Sequence, residues 1–462
     1  MIGIFGILLS LILLMYLAYR GVNVLVLAPV LALVAVLFDG NAPVFATYTQ
    51  IFMVGMGKFA VKYFPIFLLG AIFGKLMEDS GSAKVIAGKI VEKLGRGHAI
   101  LAVVLSCAFL TYGGVSVFVV AFAVYPLAAA LFREADVPKR LIPGAIALGS
   151  FTFTMTCLPG TVQIHNLIPM PYFKTTAFAA PVAGTLGGLL MLTGGMLWLN
   201  GRARRGARAG EGYGTGHTNE APAQFTGRLP GFPAACLPIV AVIALNYVFS
   251  EHVVPHWSAD YLANPKFGST TLDEVGGIWS ILAALVLSIG LVAALNFRSL
   301  WKLNDSLGQG AVGSLIPIFN TASVVGYGAT VASLAAFVTV KDWVLGLSPG
   351  NPLISEAVAV NVLSGITGSA SGGMSIALET LGDTYYQLGT QAGVSPELMH
   401  RIAAMASGGL DTLPHNGAVI TLLTISGLTH RDSYKDIAVV SLIIPVAATA
   451  IILTLGTLFG SF

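Results

Sequence analysis

Groups that can exchange protons or bind polar ligands are concentrated in the stretch ASGGLDTLPHNGAV, residues 406–419, which apolar segments flank on both sides. Asp411 and His415 can each take up a proton, and Thr412 and Asn416 can hydrogen-bond a ligand. Ionisable side chains are costly inside a membrane and indicate a functional site. We expect Asp411, together with His415, to carry a coupling proton. The alternative is that Asp411 caps a helix.

Prolines interrupt two apolar segments at similar places. Pro159 and Pro414 each remove a backbone donor within a potential membrane span. Freed backbone groups at membrane depth are tolerated only where protein or a water-filled cavity covers them. We therefore expect unwound helices that offer polar groups to a ligand. Three further candidate substrate-binding residues follow the first proline: Thr161, Gln163 and Asn166. We expect the neighbouring His165 to be structural.

Two other apolar segments carry glycine and hydroxyl residues at their centres, LTYGGVS (110–116) and TGSASGGMS (367–375). Small residues let a ligand approach the backbone, and hydroxyls can donate to a carboxylate. The alternative is close packing of membrane helices. The candidate substrate-binding residues in these segments are Thr111, Gly113, Gly114, Ser116, Ser369, Ser371, Gly372 and Gly373.

The composition indicates an all-α polytopic membrane protein. Of the 462 residues, 55% are hydrophobic and 10% are charged, and the mean hydropathy is +0.83. Soluble domains carry about 25% charged residues. The three cysteines are scattered, so we expect no disulfide, metal site or cofactor. The first apolar run is read as a retained transmembrane helix.

The apolar runs predict two halves, each with a re-entrant hairpin and an unwound transmembrane helix. Residues 1–200 contain hairpin 98–131 and broken helix 141–172, and residues 231–462 contain hairpin 353–391 and broken helix 396–427. The polar, Gly- and Arg-rich residues 201–230 are predicted to form a flexible cytoplasmic linker. We read its arginines as a topology signal and expect no nucleic-acid partner.

The distribution of basic residues agrees with this topology, although a double crossing by residues 98–131 would give the same charge distribution. The glycine and hydroxyl residues at the centre of that segment favour the hairpin. If both hairpins return to the side they enter from, most of the 24 Lys and Arg residues face the cytoplasm, as membrane proteins prefer. The six assigned to the outside are Lys58, Lys62, Lys174, Lys266, Lys341 and Arg401. Of the acids on the second hairpin, Glu379 is expected near the cavity, and Glu356 and Asp383 are expected to be solvated.

The two halves resemble each other in sequence. FPIF (64–67) matches IPIF (316–319), and EADVPKRLIPGAIALGSFTFTMTCLPGTV (134–162) parallels QAGVSPELMHRIAAMASGGLDTLPHNGAV (391–419). The predicted topology orients the two copies oppositely. Inverted repeats with interrupted helices are typical of secondary transporters, in which substrate binds near the midplane and access alternates between the two sides.

Several segments resemble the gluconate permease family of the ion-transporter superfamily, most closely its hydroxybutyrate permease-like branch. They are GKLMEDSGSAKVIAGKIVEKLG (74–95), TYGGVSVFVVAFAVYPLA, FTFTMTCLPGTVQIHNLIP and LPHNGAVITLLTISGLTHRDSYKDI (413–437). The resemblance implies H⁺-coupled symport of a small organic anion, such as hydroxybutyrate, gluconate or a similar carboxylate, across a bacterial inner membrane. Related carriers are homodimers that move a transport domain, here residues 98–172 and 353–427, like an elevator.

Two alternatives remain open. A Na⁺-coupled carboxylate carrier or an ion antiporter would bind its ion at the hydroxyl-rich hairpin tips. An intramembrane enzyme is the remote alternative, because the chain has neither an H-E-x-x-H motif nor a nucleophile motif of the required form. The lack of a phosphate-binding G-x-x-x-x-G-K-[ST] loop argues against an ATP-driven pump. We therefore expect a transporter and not an enzyme.

Overall fold

The computed structural model describes residues 2–460 except positions 21, 41, 216, 218–228, 298–302, 349 and 415. Within these residues the chain forms helices and turns and contains no β-strand. Seven of the described helices are long and apolar enough to cross a membrane, and shorter apolar helices accompany them. The predicted all-α polytopic membrane fold is confirmed.

The first half contains eight principal helices. In chain order these are α1 (Ile2–Tyr19), α2 (Val24–Asp39), α3 (Val44–Asp79), α4 (Ser82–Leu94), α5 (Ala99–Tyr112), α6 (Val117–Glu134), α7 (Ile142–Ser150) and α8 (Pro181–Arg208). Single helical turns lie between α7 and α8, at Phe153–Thr156, Ile164–Leu167 and Met170–Phe173.

The second half repeats this order. Its helices are α9 (Phe232–His256), α10 (Leu272–Leu295), α11 (Leu303–Ser333), α12 (Phe337–Leu345), α13 (Pro352–Thr367), α14 (Ala370–Gln391), α15 (Pro396–Ser407), α16 (Gly417–Ser426) and α17 (His430–Phe459). Each half thus contains a helix pair, a long helix, a short connector, a hairpin, a broken segment and a final long helix.

Equivalent helices of the two halves run in opposite directions. Helix α3 packs along α11 so that Gly55 meets Ala329 near one end of the contact and Ile72 meets Gly310 near the other. Helix α8 packs in the same antiparallel manner along its counterpart α17. Because equivalent helices run antiparallel in both pairs, the two halves form an inverted repeat.

Each hairpin consists of two helices joined by a tight turn. Hairpin 1 is α5–α6 with its tip at residues 113–116, and hairpin 2 is α13–α14 with its tip at Gly368 and Ser369. The amphipathic helix α4 is bent by 105° from the segment that continues into α5. Tip 1 contacts the break in the first broken segment, since Tyr112 Oη donates to the Pro159 carbonyl at 2.6 Å. The tip therefore ends at the depth of the break.

Both broken segments unwind as predicted. In broken segment 1 (141–172) the helix α7 stops at Ser150, and only single helical turns follow before Lys174. In broken segment 2 (396–427) the helix α15 stops at Ser407, a 3₁₀ turn spans Leu410–Thr412, and α16 begins at Gly417. The chain between each pair of pieces must satisfy its backbone polar groups without a regular helix.

The linker begins later than its composition predicts. Helix α8 continues to Arg208, so residues 201–208 are helical. Glu211 is bound by Arg140 through Nε at 2.5 Å and Nη2 at 2.8 Å, and this guanidinium holds the pKa of the Glu211 carboxyl below its usual range. Most of residues 216–228 lie outside the described part of the chain.

One buried carboxylate joins the two halves at their predicted cytoplasmic end. Asp436 of α17 is 1% exposed and accepts hydrogen bonds from Arg140 Nη1 at 3.0 Å, Arg202 Nε at 2.9 Å and Trp198 Nε1 at 2.9 Å. All three donors come from the first half. Charge-assisted bonds of this kind stabilise a buried carboxylate that would otherwise be costly.

The variant Asp436→Asn should lower the melting temperature of the purified protein in detergent by several degrees. The amide removes the carboxylate that Arg140 and Arg202 share, leaves Arg140 with Glu211 alone, and turns a donor towards both guanidinium groups. Removing one partner of a buried ion pair costs roughly 3–5 kcal/mol. The control is Glu92→Gln, whose partner Lys89 is bound at 2.8 Å on the exposed surface. Surface pairs contribute about 0–1 kcal/mol. Equal melting temperatures for the two variants would contradict this role of Asp436.

Candidate substrate cavity

Both hairpin tips and both breaks border a single cavity of about 790 Å³. Its remaining wall comes from α3 and α11, with residues such as Gly70, Ala71, Gly313 and Asn320. The volume falls in the range of small-molecule sites, about 300–1,000 Å³. The two halves therefore meet around a space of the size that one small ligand needs.

The structure divides the predicted site residues into two groups. One group lines the cavity: Gly114, Ser116, Gln163, Ser369, Ser371, Asp411 and Asn416. The other lies behind its wall: Thr111, Gly113, Thr161, Asn166, Gly372, Gly373 and Thr412. His415, predicted to assist Asp411, lies outside the described residues.

Two side-chain amides connect the hairpin tips to the breaks. Gln163 Nε2 donates to the Thr111 carbonyl at 2.7 Å, which joins broken segment 1 to tip 1. Asn416 Nδ2 donates to the Gly368 carbonyl at 3.1 Å, which joins broken segment 2 to tip 2. Asn416 Oδ1 also accepts from the first amides of α16 and caps that helix. Both amides hold the cavity wall together as well as facing it.

Asn166 supports the first break from behind. Its Nδ2 donates to the Thr161 carbonyl at 2.9 Å and the Ala177 carbonyl at 2.8 Å. Its Oδ1 accepts from Arg401 Nη1 at 2.9 Å and lies 3.3 Å from His400 Nε2. The predicted ligand-binding residue is thus fully engaged within the protein.

Arg401 is the residue whose placement differs most from expectation. It was assigned to the outer surface, but it is fully buried on α15. Its Nε and Nη2 donate to the Ala179 carbonyl at 3.1 and 2.7 Å. The buried cation therefore belongs to the junction between α15 and broken segment 1. In the sequence, His400 and Arg401 stand side by side one turn inside an otherwise apolar helix, which is the signal for a buried cation. Counting charges alone places such residues at the membrane interface.

Four other residues behind the wall pack closely or bond within the protein. A Cβ atom on Gly113 would overlap Ile239, and one on Gly373 would overlap the backbone of Ser364 in the facing hairpin arm. These two glycines therefore allow close helix contacts and do not expose backbone to a ligand. The predicted hydroxyl Thr412 donates to the Ser441 carbonyl at 2.9 Å, and Thr111 donates to Ser150 Oγ at 3.1 Å.

Three cavity-lining residues carry a buried polar atom with no partner among the described residues. They are Asp411 with Oδ1, His165 with Nδ1 and Asn320 with Oδ1. Buried polar atoms are normally hydrogen-bonded, so these atoms are the ones that a ligand or water would satisfy. His165 was expected to be structural and Asn320 was not considered. The sequence could have pointed to Asn320, because it is a polar residue directly after the IPIF segment within an apolar helix.

The acids of hairpin 2 differ from one another. Glu379 is exposed and accepts a hydrogen bond from Tyr172 Oη at 2.7 Å. It was expected near the cavity, but it does not line it. Asp383 is exposed, as expected. Glu356 is fully buried, which contradicts its predicted solvation.

Comparison with known proteins identifies the family. The chain is 45% identical over 462 residues to the uncharacterised transporter YxjC of Bacillus subtilis (strain 168), an alignment that covers 96% of this chain and 97% of YxjC. The chain belongs to the transporter family of YxjC. An uncharacterised transporter of Haemophilus influenzae is 34% identical over 127 residues, covering 27% of this chain and 30% of that protein. No protein-family model matches the chain.

A solved structure shares the fold. The YdaH transporter of Alcanivorax borkumensis, described as having an unusual topology, superposes with a TM-score of 0.57 at 16% identity. The match covers 89% of this chain and 88% of that chain. At this identity the likeness concerns the fold alone.

The two adjacent glycines of hairpin 2 should respond differently to alanine. Gly373→Ala places a methyl group against the Ser364 backbone and should lower the melting temperature, since overpacking costs about 1–3 kcal/mol. Gly372→Ala places it 3.2 Å from Ser369 Oγ and 3.3 Å from Val324, which small shifts accommodate. Thermal unfolding of both purified variants checks this. A larger loss for Gly372→Ala would contradict the assignment of Gly373 to hairpin packing.

Proposed function

We propose that this membrane transporter is a secondary carrier that symports a small organic anion with H⁺ by alternating access. The substrate class is a short carboxylate such as hydroxybutyrate or gluconate, and the location is a bacterial inner membrane. The family membership supports transport, and the resemblance to gluconate permeases supports the substrate class.

The observation that carries the anion proposal is the convergence of helix N-termini. Helices α6, α14 and α16 begin at Val117, Ala370 and Gly417, and all three residues line the cavity. Helix N-termini attract negative charge because their first amides are unpaired and the helix dipole is positive there. At α6 the preceding Ser116 makes no side-chain capping bond. A carboxylate bound at α6 would meet these amides and the Ser116 hydroxyl.

The shape of the cavity supports an inward-facing state. It extends from the breaks to Asn23 before α2, Lys75 near the end of α3 and Gln309 near the start of α11. The charge-based topology assigns these three helix ends to the cytoplasm. Lys75 is held by Asp79 at 2.9 Å, so its ammonium group is already paired at the cavity mouth. Substrate would leave towards the cytoplasm in this state.

Asp411 is our candidate for the coupling group. It is 3% exposed, it lines the cavity, and its Oδ1 has no partner among the described residues. A buried carboxylate with one oxygen unpaired and no cation beside it is unfavourable, so proton uptake and the arrival of an anion would favour each other. The 3₁₀ turn that carries Asp411 is anchored to hairpin 2 by Asn361 Oδ1, which accepts from the Leu410 amide at 3.0 Å.

The variant Asp411→Asn should abolish uphill, proton-driven uptake while retaining exchange of substrate for substrate. The neutral amide fits the same space but cannot release a proton. The measurement is uptake and counterflow of labelled hydroxybutyrate or gluconate in proteoliposomes. Asp383→Asn, an exposed acid on hairpin 2, is the matched control and should accumulate substrate normally. Undiminished accumulation by Asp411→Asn would remove Asp411 from the coupling role.

Substrate class and coupling ion are tested separately. Short hydroxy acids should raise the melting temperature of the purified protein, since a ligand that binds only the folded state stabilises it. Uptake should survive replacement of Na⁺ by choline and collapse with a protonophore. The reverse pattern would favour the Na⁺-coupled alternative.

A further inference from the structure

A second carboxyl group lies inside hairpin 2, outside the cavity. Glu356 is on α13, the first arm of the hairpin, and its exposed fraction is 0%. Neither of its carboxyl oxygens has a hydrogen-bond partner among the described residues. Tyr385 on the facing arm α14 is equally buried, and its hydroxyl is also without a partner in the described structure.

Apolar residues flank Glu356 on its own helix. Leu353 and Val360, three and four residues away on the same helix, are fully buried and belong to the main hydrophobic core. An unpaired carboxylate in such surroundings loses its hydration without compensation, and it neutralises by binding a proton instead. The burial and the missing partners therefore favour the protonated acid in this conformation.

The charged groups that α15 and α14 present to α13 are engaged elsewhere or exposed, whereas Asp411 and Tyr385 are buried and each has an unpaired oxygen. On α15, Arg401 binds the Ala179 carbonyl and Glu397 accepts from the Ala180 amide at 3.2 Å. The other such groups on the packed elements are His400, bound to Thr175; Glu379, bound to Tyr172; Asp411 on the 3₁₀ turn; and Tyr16, Lys341, Asp342, Asp383, Tyr385 and Tyr386. The part of α17 that contacts α13, Ile444–Phe459, contains no charged residue.

We propose that Glu356 is a proton-binding site of hairpin 2, distinct from Asp411 and occupied in the conformation described here. Helix α13 connects the two acids mechanically. Asn361, five residues beyond Glu356, binds the amide next to Asp411, and Gly365 packs against Leu410. Glu356 and Asp411 therefore belong to one packed body. Movement of hairpin 2 against its neighbours would expose Glu356 and let its proton pass to water. This release step rests on the proposed function.

Whether Glu356 carries a proton is tested by infrared difference spectra between wild type and variants of the full-length protein without substrate. Wild type should show a carbonyl band of a protonated carboxylic acid that shifts in D₂O, and Glu356→Gln should lack it. The same band should persist in Asp411→Asn. An unchanged spectrum in Glu356→Gln would overturn the proposal. Glu356→Met is the second variant, because a side chain of similar length without polar atoms should keep the melting temperature at or above that of wild type.

The contribution of Glu356 to transport is tested by measuring how many protons move with each substrate in proteoliposomes. This ratio is obtained from the substrate gradient at which net flux stops. Glu356→Gln should move one proton fewer per substrate than wild type, with Asp383→Asn unchanged. A ratio equal to that of wild type would mean that the proton stays on Glu356 throughout, which would overturn its part in transport. A wild type without proton movement would instead contradict the proposed symport, and the infrared band would still decide whether Glu356 binds a proton.

Discussion

The fold depends on satisfying broken backbone where water is excluded. A membrane helix that unwinds frees several carbonyl and amide groups, and each unpaired group costs several kcal/mol in hydrocarbon. Three side-chain amides meet this need at the two breaks: Gln163, Asn166 and Asn416 donate to carbonyls of the breaks and the hairpin tips. The hairpins must therefore end where the helices break, and the cavity lies where these four elements meet.

Buried charges also tie the two halves together at both ends. At one end Asp436 of the second half is neutralised by Arg140 and Arg202 of the first. At the other end Arg401 of the second half is bound by carbonyl oxygens of Ala179 and Asn166 in the first. Both of these buried charges are stabilised by groups from the other repeat. The broken segments are thereby held as one unit across the repeat boundary.

Sequence alone predicted where the chain breaks but not which way the side chains point. Proline, glycine and hydroxyl clusters located both hairpins and both unwound segments, because these residues act on their own backbone. Gly373 and Gly114 look alike in sequence, yet only Gly114 lines the cavity and Gly373 packs against Ser364. Glu356 was expected in solvent because a charge near a helix end is normally interfacial. Its burial depends on α14 and α15, which local sequence does not position.

A shared hydrogen-bond spacing offers another alignment of the repeats besides the prolines. Asn166 donates to the Thr161 carbonyl and Asn416 to the Asp411 carbonyl, each five residues earlier in the chain. This pairing makes Asp411 the counterpart of Thr161, whereas aligning Pro159 with Pro414 would pair it with Thr156. The Thr161 hydroxyl and one Asp411 carboxyl oxygen both lack partners among the described residues. The duplicated scaffold thus presents the same kind of unpaired oxygen twice, but only the second copy can titrate.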